Sequence, residues 1–142
     1  QNNKIFRMPK FRTMKLEAPI AASHLLNDPK RYMTTVGVFL RKTSLDELPQ
    51  LWNIIEGDMS FVGPRPALFN QDDLIKLRTE KGIHTLVPGL SGWAQVNGRD
   101  ELSMSFKVDL DLEYVERQSI CFDMYILWLT FVRVVSGDGV SH

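Results

Sequence analysis

The sequence predicts an α+β fold, a single compact domain in which short strands or hairpins accompany several helices. Segments with helical spacing alternate irregularly with short strand-like segments, without the βα order of a parallel-sheet protein. Apolar residues form 44% and charged residues 24% of the 142 residues, which is typical of a folded domain. A chain of this length can bury one core of ordinary size.

The first elements along the chain are short. Alternation within residues 5–11 predicts a strand or hairpin interrupted by Pro9. Residues 18–29 leave room for a turn of helix before Asn-Asp-Pro ends it. Residues 33–42 suit a strand and the start of a helix equally well, because periodicity does not separate the two over so few residues.

Two helices are predicted in the middle of the chain. After Pro49, apolar residues recur at helical spacing until Gly57. Residues 70–83 predict an amphipathic helix with Asn70 as its N-cap and Gly82 as its stop.

The carboxyl-terminal part predicts one strand and two longer helices. The glycine-rich segment 87–100 has strand character only around residues 93–96. Residues 103–118 predict a helix with charged faces, and residues 122–135 predict an apolar helix. Some of these helices are amphipathic.

The charges are segregated, although the formal net charge is zero. Residues 1–42 contain nine basic and two acidic residues, whereas residues 100–123 contain seven acidic and two basic ones. A basic end suits an anionic partner such as phosphate, nucleic acid or a lipid headgroup. Two solvated halves that neutralise each other explain the pattern equally well. The single cysteine, Cys121, excludes an internal disulfide and favours a reducing compartment.

Asp46 and Glu47 are the first candidate site residues. Ser44 and Glu47 have the Ser-x-x-Glu spacing of a capping box, which is a purely structural explanation. Pro49 fits better at the first position of a helix, with the two carboxylates on a tight turn before it. A carboxylate pair at a helix amino terminus, beside basic residues such as Arg41, suits a site for phosphate and a divalent cation.

Two arginines stand in turns that could present them to phosphate. Prolines on both sides restrict the backbone around Arg65, and Gly63 permits an unusual dihedral. The guanidinium fork can bind two phosphate oxygens at once, although an ordinary turn with a surface arginine is the alternative. Arg99 follows an Asn-Gly turn in the same manner. Trp93 is placed to stack on a base or sugar ring, but an aromatic residue in a short strand more often belongs to the core.

Four segments together resemble the bacterial sugar transferase family in order and spacing. They are "KFRTMK", "LRKTSLDELPQLWNIIEGDMSFVGPRP", "PGLSGWAQVNGR" and "DLEYVERQSICFDMYILWLT". The family consists of small monotopic polyprenyl-phosphate phosphoglycosyltransferases, which begin the assembly of cell-surface glycans and glycoprotein sugars. The resemblance covers nearly the whole chain, so it implies a catalytic domain over residues 1–142.

The resemblance implies a reaction and a role for each site residue. A UDP-sugar would give its phosphosugar to a polyprenyl (undecaprenyl) phosphate and release UMP. Asp46 matches the family's nucleophile, which forms a covalent phosphosugar intermediate, and Glu47 matches the glutamate that helps to hold Mg²⁺. Phosphate binding is implied for five matching basic positions, Lys10, Arg12, Arg41, Arg65 and Arg99.

The resemblance also implies a membrane surface as a partner, on the cytoplasmic face of the bacterial inner membrane. The family's re-entrant hydrophobic helix does not precede "KFRTMK" in this chain, so a peripheral protein that lacks its upstream anchor is expected. At about 1.5 Å per residue, residues 122–135 are too short to cross a bilayer core of about 30 Å. They predict either a core helix or an interfacial helix with Tyr125 and Trp128 at headgroup depth. A homo-oligomer is left open, and Glu113 departs from the family's usual apolar or aromatic residue.

Two other functions belong to different classes. A catalytically idle domain that binds nucleotide sugar is one alternative, although the complete Asp-Glu pair argues against it. Nucleic-acid binding by the basic end is the other. No aromatic stacking pattern and no nucleic-acid-binding motif accompany the basic residues, so no nucleic-acid partner is expected.

Overall fold

The computed structural model describes residues 1–18, 29–98 and 102–136. Its α-helices are α1 (Thr35–Lys42), α2 (Leu51–Ile55), α3 (Asp72–Glu80), α4 (Trp93–Val96), α5 (Met104–Arg117) and α6 (Ile120–Ser136). Its strands are β1 (Ser60–Val62) and β2 (Gly89–Ser91), and its 3-10 helices are Pro29–Tyr32, Leu45–Gln50 and Ile83–Thr85. We call Leu45–Gln50 the dyad helix, since it carries Asp46 and Glu47. This mixture of helices and strands in one compact domain confirms the predicted α+β class.

Local sequence explains how several helices begin and end. Residues 33–42, for which the sequence left strand and helix open, form α1 because the Thr34 hydroxyl accepts a hydrogen bond from the Gly37 N–H at 2.9 Å. The helix predicted after Pro49 is α2, and Gly57 follows it with φ +83°. Gly82 adopts φ +72° directly after α3, as predicted for a helix stop. Both glycines occupy a backbone region that other residues rarely adopt.

The expected start of α3 is wrong. The helix begins at Asp72, and Gln71 rather than Asn70 stands at its cap position. The Gln71 side chain instead accepts a hydrogen bond from the Leu68 N–H at 3.0 Å, in the turn that precedes the helix. Asp72 and Asp73 in the first turn favour the helix dipole without a side-chain cap.

Three further expectations are corrected or fall outside the described residues. Residues 3–15 form no strand or hairpin, and their one β-bridge pairs Met14 with Met33. Residues 93–96 form helix α4, and the strand of that region is β2. The turn of helix expected within residues 18–29 lies almost wholly outside the described residues.

The core lies between the small sheet and the long carboxyl-terminal helices. One buried cluster joins β1, α4, α5 and α6 through Val62, Val96, Tyr114, Phe122 and Ile126. A second cluster joins α3 to α5 through Leu74, Ile83 and Val108. Because α5 contributes to both clusters, it fixes α3 and the end of β1 relative to each other. The Pro-Arg-Pro turn runs from β1 towards α3 and is therefore held at both ends.

Strands β1 and β2 pair in parallel, with Ser60 opposite Gly89 and Val62 opposite Ser91. Immediately beyond β1, the Gly63 N–H donates to the Ser91 carbonyl, and the Gly89 N–H donates to the Pro64 carbonyl, both at 2.9 Å. A Cβ atom on Gly89 would lie 2.1 Å from the Gly63 nitrogen. Gly63 does not adopt a positive φ, so the predicted reason for this glycine is wrong. The close approach of two backbones is the reason for glycine at both positions.

Candidate active site

The dyad helix places Asp46 and Glu47 in its first turn. Ser44 precedes it with φ +56° and makes no capping hydrogen bond with its side chain, so the capping-box interpretation is wrong. Pro49 lies inside this 3-10 helix rather than at the first position of α2. A 3-10 helix bonds each N–H to the carbonyl three residues earlier, and proline has no N–H to offer. The Asp46 carbonyl is therefore available to a partner from elsewhere in the chain.

That partner is Phe11 in the amino-terminal segment. The Phe11 N–H donates to the Asp46 carbonyl at 2.9 Å. Farther along the same segment, the Arg41 Nε donates to the Thr13 hydroxyl at 2.8 Å, and the Thr34 N–H donates to the Thr13 carbonyl at 3.0 Å. These bonds lay residues 11–13 against α1 and the dyad helix, which brings Lys10 to the carboxylates.

Glu47 is bonded by two cations. The Lys10 Nζ donates to its Oε1 at 2.7 Å, and the Arg65 Nη2 donates to the same oxygen at 2.8 Å. Burial alone would raise the pKa of Glu47, but the charges and hydrogen bonds of Arg65 and Lys10 outweigh it and lower the pKa to about 2. Glu47 is therefore an anion at any physiological pH.

Asp46 has the opposite electrostatic environment. Burial is the main cause that raises the pKa of Asp46, and the neighbouring negative charge of Glu47 adds to it. Lys10 and Arg41 act in the other direction without cancelling these effects. A carboxylate with a raised pKa has more electron density to give to an electrophile than one held in a tight ion pair. The two carboxyl groups therefore differ in basicity although they are adjacent in sequence.

A buried ion pair that the sequence analysis missed supports Arg65. The Arg78 guanidinium of α3 donates from Nε and Nη2 to Oδ2 of Asp111 on α5, at 2.9 and 2.6 Å. Its Nη1 donates to the backbone carbonyl of Arg65 at 2.6 Å. The Asp111 side chain is only 2% exposed. One guanidinium thus ties the Arg65 turn to two helices of the core. A pair 33 residues apart in sequence leaves no local pattern to detect.

The predicted phosphate-binding residues divide into three groups. Lys10 and Arg65 contact Glu47 directly, and Arg41 lies close enough to Asp46 for its charge to lower that residue's pKa. Arg12 is exposed, and its side chain makes no hydrogen bond or ion pair with the residues that the structure describes. Arg99 lies outside the described residues. The structure therefore assembles three of the five basic residues at the carboxylates.

The sequence matches a known protein family along most of its length. A sequence model of the family described as bacterial sugar transferase matches residues 1–137.

The chain belongs to the bacterial sugar transferase family.

Named relatives share most of this chain. The sugar transferase EpsL of Bacillus subtilis (strain 168) is 44% identical over 99% of this chain and 68% of its own length. The UDP-glucose:undecaprenyl-phosphate glucose-1-phosphate transferase of Escherichia coli (strain K12) is 41% identical over 93% of this chain and 30% of its own length. The undecaprenyl-phosphate galactose phosphotransferase of Salmonella typhimurium is 37% identical over 98% of this chain and 32% of its own length. This chain thus spans about two thirds of EpsL and about a third of the two larger transferases.

The acidic residue at position 113 of this sugar transferase has structural partners. Glu113 on α5 accepts a hydrogen bond from the Trp93 indole Nε1 at 2.8 Å and pairs with Arg117 one turn later. The Arg117 guanidinium lies 4.4 Å from the centre of the Phe122 ring. Trp93 is half-buried and packs against the core cluster, so it is a core residue with a satisfied N–H. The acidic residue at position 113 provides the partner of that indole.

The donor set at the dyad fits a magnesium ion shared with a substrate. Within residues 1–18, 29–98 and 102–136, no group of three or more acidic, histidine or cysteine side chains is arranged to hold a metal. Magnesium commonly binds one or two carboxylates and takes its other ligands from substrate phosphates and water. Asp46 and Glu47 are two such carboxylates, and Lys10 and Arg65 bond Glu47 in this structure.

The long helix α6 leaves an apolar face uncovered. Its residues Ile120, Met124, Trp128, Phe131 and Val135 are all at least 60% exposed, and they recur at intervals of three or four residues. The opposite side carries the buried Phe122 and Ile126. α6 is therefore a core helix on one side and an unpartnered apolar helix on the other. Among the described helices, none is long and apolar enough to cross a membrane.

Proposed function

We propose that this chain is the catalytic domain of a phosphoglycosyltransferase. It transfers a sugar phosphate from a UDP-sugar to a polyprenyl (undecaprenyl) phosphate and releases UMP, an early membrane step of bacterial surface-glycan assembly. The observation that carries the proposal is the Asp46–Glu47 pair, in which Lys10 and Arg65 both bond the Glu47 carboxylate. The names of two relatives, which state sugar-phosphate transfer to undecaprenyl phosphate, support the same reaction.

The reaction proceeds in two displacements at one phosphorus atom. The Asp46 carboxylate attacks the phosphorus that bears the sugar, and the bond from that phosphorus to the bridging oxygen breaks, so that UMP leaves with the electron pair. The phosphosugar is then bound to Asp46 as an acyl phosphate. An oxygen of the polyprenyl phosphate attacks the same phosphorus and releases the Asp46 carboxylate. No net oxidation or reduction occurs, and the diphosphate linkage is conserved.

The basic residues hold the phosphates during both displacements. The Arg65 guanidinium and the Lys10 ammonium both bond a carboxylate oxygen of Glu47. Phosphate oxygens are anionic acceptors of the same kind. Because Arg78 and Asp111 fix the Arg65 backbone, the guanidinium can turn from Glu47 to the substrate without moving its turn. Arg41 stabilises the charge near Asp46.

Glu47 is the residue that would hold magnesium, with Asp46 beside it. When bound, the ion neutralises diphosphate charge and stabilises the departing UMP. The very low pKa of Glu47 keeps this ligand ionised, so no proton has to leave before a metal binds.

The acceptor substrate requires contact with a membrane, and α6 supplies a surface for it. A polyprenyl phosphate keeps its tail in the bilayer while its phosphate has to reach Asp46. The exposed face of α6 carries Trp128 and Phe131, and aromatic side chains of this kind are favoured at the membrane interface. We place this face on the cytoplasmic leaflet, with the domain bound peripherally.

A panel of UDP-sugars tests the proposal, with polyprenyl phosphate as acceptor and UMP release as the measure. Turnover of at least one UDP-sugar, dependent on the acceptor, is the expected result. Binding of UDP-sugar without any UMP release would instead support the idle nucleotide-sugar-binding domain. A matched panel of GDP- and CDP-sugars serves as the control for the choice of nucleotide.

A further inference from the structure

A pocket of about 160 Å³ opens beside Glu47, between the dyad helix and α6. Its lining includes Glu47 and Leu48 of the dyad helix, Phe61 of β1, Leu90 of β2, and Leu127 and Arg133 of α6. We call it the α6 pocket. It places residues of α6 beside Glu47 of the dyad.

The lining of this pocket is mainly apolar, but it also includes two charged side chains, Arg133 and Glu47, and the uncharged polar side chains of Ser44, Ser91, Gln95 and Thr130. The Glu47 carboxylate is already bonded by Lys10 and Arg65. Leu48, Phe61, Leu90 and Leu127 present only apolar side-chain atoms. Arg133 is half-buried, and its guanidinium makes no hydrogen bond or ion pair with the residues that the structure describes. A cation beside apolar walls loses hydration without gaining a partner, and an anionic group in the pocket would compensate for that loss. The matching ligand has an anionic head joined to a hydrocarbon chain.

The position of the pocket on α6 fits the same ligand. Leu127, Thr130 and Arg133 all line it, at intervals of three residues along the helix. Phe131 lies about one turn beyond Leu127, at 3.6 residues per turn, and belongs to the exposed apolar face. At Leu127 the pocket therefore borders the face that we place against the membrane.

We propose that the α6 pocket receives the first isoprene unit of the acceptor polyprenyl phosphate, and that Arg133 binds the acceptor's phosphate on its way to Asp46. This inference rests on the proposed function. Pockets that enclose a whole small ligand usually measure about 300–1,000 Å³, so a pocket of 160 Å³ holds only the head of a long lipid. The rest of the chain continues along the exposed face of α6. The pocket gives the acceptor a site separate from that of the nucleotide.

The two half-reactions separate this inference from the proposed function. Exchange of labelled UMP into UDP-sugar needs only Asp46 and the donor, whereas transfer to polyprenyl phosphate in detergent micelles needs the acceptor as well. The variants are Arg133→Gln, Arg133→Lys and Phe61→Ala, and Phe61 is more than half exposed, so its truncation spares the core. Lys76→Gln on α3 is the control, because it removes one positive charge from an exposed position outside the pocket.

We expect Arg133→Gln to raise the KM for the acceptor by about tenfold or more, the effect of losing one charge-assisted hydrogen bond. Phe61→Ala should raise the same KM by a smaller factor, and Arg133→Lys should recover part of the loss. The rate of UMP exchange should stay within about twofold of the wild-type rate in all three variants. In Lys76→Gln, both UMP exchange and transfer to the acceptor should stay within that range.

Two outcomes would overturn the inference. One is an unchanged KM for the acceptor in Arg133→Gln. The other is a rise in the KM for the UDP-sugar that equals the rise for the acceptor, which would assign the pocket to the sugar of the donor. Absence of UMP exchange in the wild type would refute the proposed function itself, and the acceptor site with it.

Discussion

Asp46 and Glu47 are adjacent residues in one turn of 3-10 helix, and the pKa values of their carboxyl groups move in opposite directions. That of Glu47 falls to about 2, while that of Asp46 rises above its ordinary value. Burial raises the pKa of Asp46, whereas at Glu47 the charges and hydrogen bonds of Arg65 and Lys10 outweigh burial. This difference suits the roles that we propose, with Glu47 as the metal ligand and Asp46 as the nucleophile.

This separation predicts different results from removing each carboxylate. Asp46→Asn should lower turnover by at least about 10³-fold and abolish any covalent phosphosugar adduct, because an amide is not a competent nucleophile. Glu47→Gln should still form the adduct, more slowly and at a higher magnesium concentration. Intact-mass measurement after mixing with UDP-sugar distinguishes the two variants. An adduct on the Asp46→Asn protein would disprove the assignment.

The low pKa of Glu47 also predicts how stability depends on pH in metal-free buffer. A carboxyl group whose pKa is lower in the folded than in the unfolded state contributes stability above the unfolded value of about 4.5, and loses it as the pH falls towards 2. Between about pH 5 and pH 3, the wild type should therefore lose roughly 2 kcal/mol more free energy of unfolding than Glu47→Gln. Urea denaturation at each pH measures this difference. Parallel pH profiles for the two proteins would contradict the ion-pair geometry.

Arg65 and Arg12 form a matched pair for testing the phosphate contacts. Arg65→Lys keeps the charge but loses the planar fork, so kcat/KM for the UDP-sugar should fall by about tenfold. Arg12→Lys makes the same change at an exposed arginine that does not contact the dyad, and it should have little effect. Equal effects of the two substitutions would mean that Arg65 is an ordinary turn residue.

The Arg78–Asp111 pair predicts that stability and activity can be separated. Asp111→Leu alone leaves a buried guanidinium without its anion and should lower the free energy of unfolding by about 3–5 kcal/mol. The double variant Arg78→Met and Asp111→Leu removes both charges and should recover much of that loss. Its activity should stay low, because the Arg65 carbonyl has lost its donor. Thermal unfolding and UMP release are the two measurements, and full activity of the stable double variant would contradict the positioning role.

The apolar face of α6 predicts weak, salt-sensitive binding to anionic vesicles. Trp128→Glu places a charge in the middle of this face and should reduce binding in a flotation experiment by about tenfold. Phe69→Glu adds the same charge at an exposed aromatic residue outside α6 and is the control. Full activity on vesicle-embedded polyprenyl phosphate without any flotation of the protein would overturn membrane contact through this helix.

The long helices, and the helices that end near a glycine, were predictable from sequence. The short strands and the short helix α4 were not. α5 and α6 extend over enough residues for their periodicity to be clear, and glycines with positive φ mark the ends of α2 and α3. β1 and β2 have three residues each, too few for alternation to appear. Trp93 and Val96 favour a strand by their local propensity, but packing against the core places them on a helix instead.

The residues of the candidate site were likewise only partly predictable from sequence. Residue types and motifs identified Asp46, Glu47, Lys10 and Arg65, which the fold brings together. The capping-box pattern predicted the wrong partner for Glu47. Two cations from distant segments bond this carboxylate, and the spacing between Ser44 and Glu47 does not reveal them. Buried pairs such as Arg78 and Asp111 have no sequence signature, since helices from separate parts of the chain have to pack before the two residues meet.

The bond between the Phe11 N–H and the Asp46 carbonyl turns one amide proton into a reporter of the assembled site. Pro49 cannot occupy that carbonyl, so the amide is protected from exchange with solvent deuterium only while the amino-terminal segment lies against the dyad helix. Local opening of this segment would carry Lys10 away from Glu47 without unfolding the core. The exchange rate at Phe11 therefore measures the fraction of molecules in which the amino-terminal segment lies against the dyad helix.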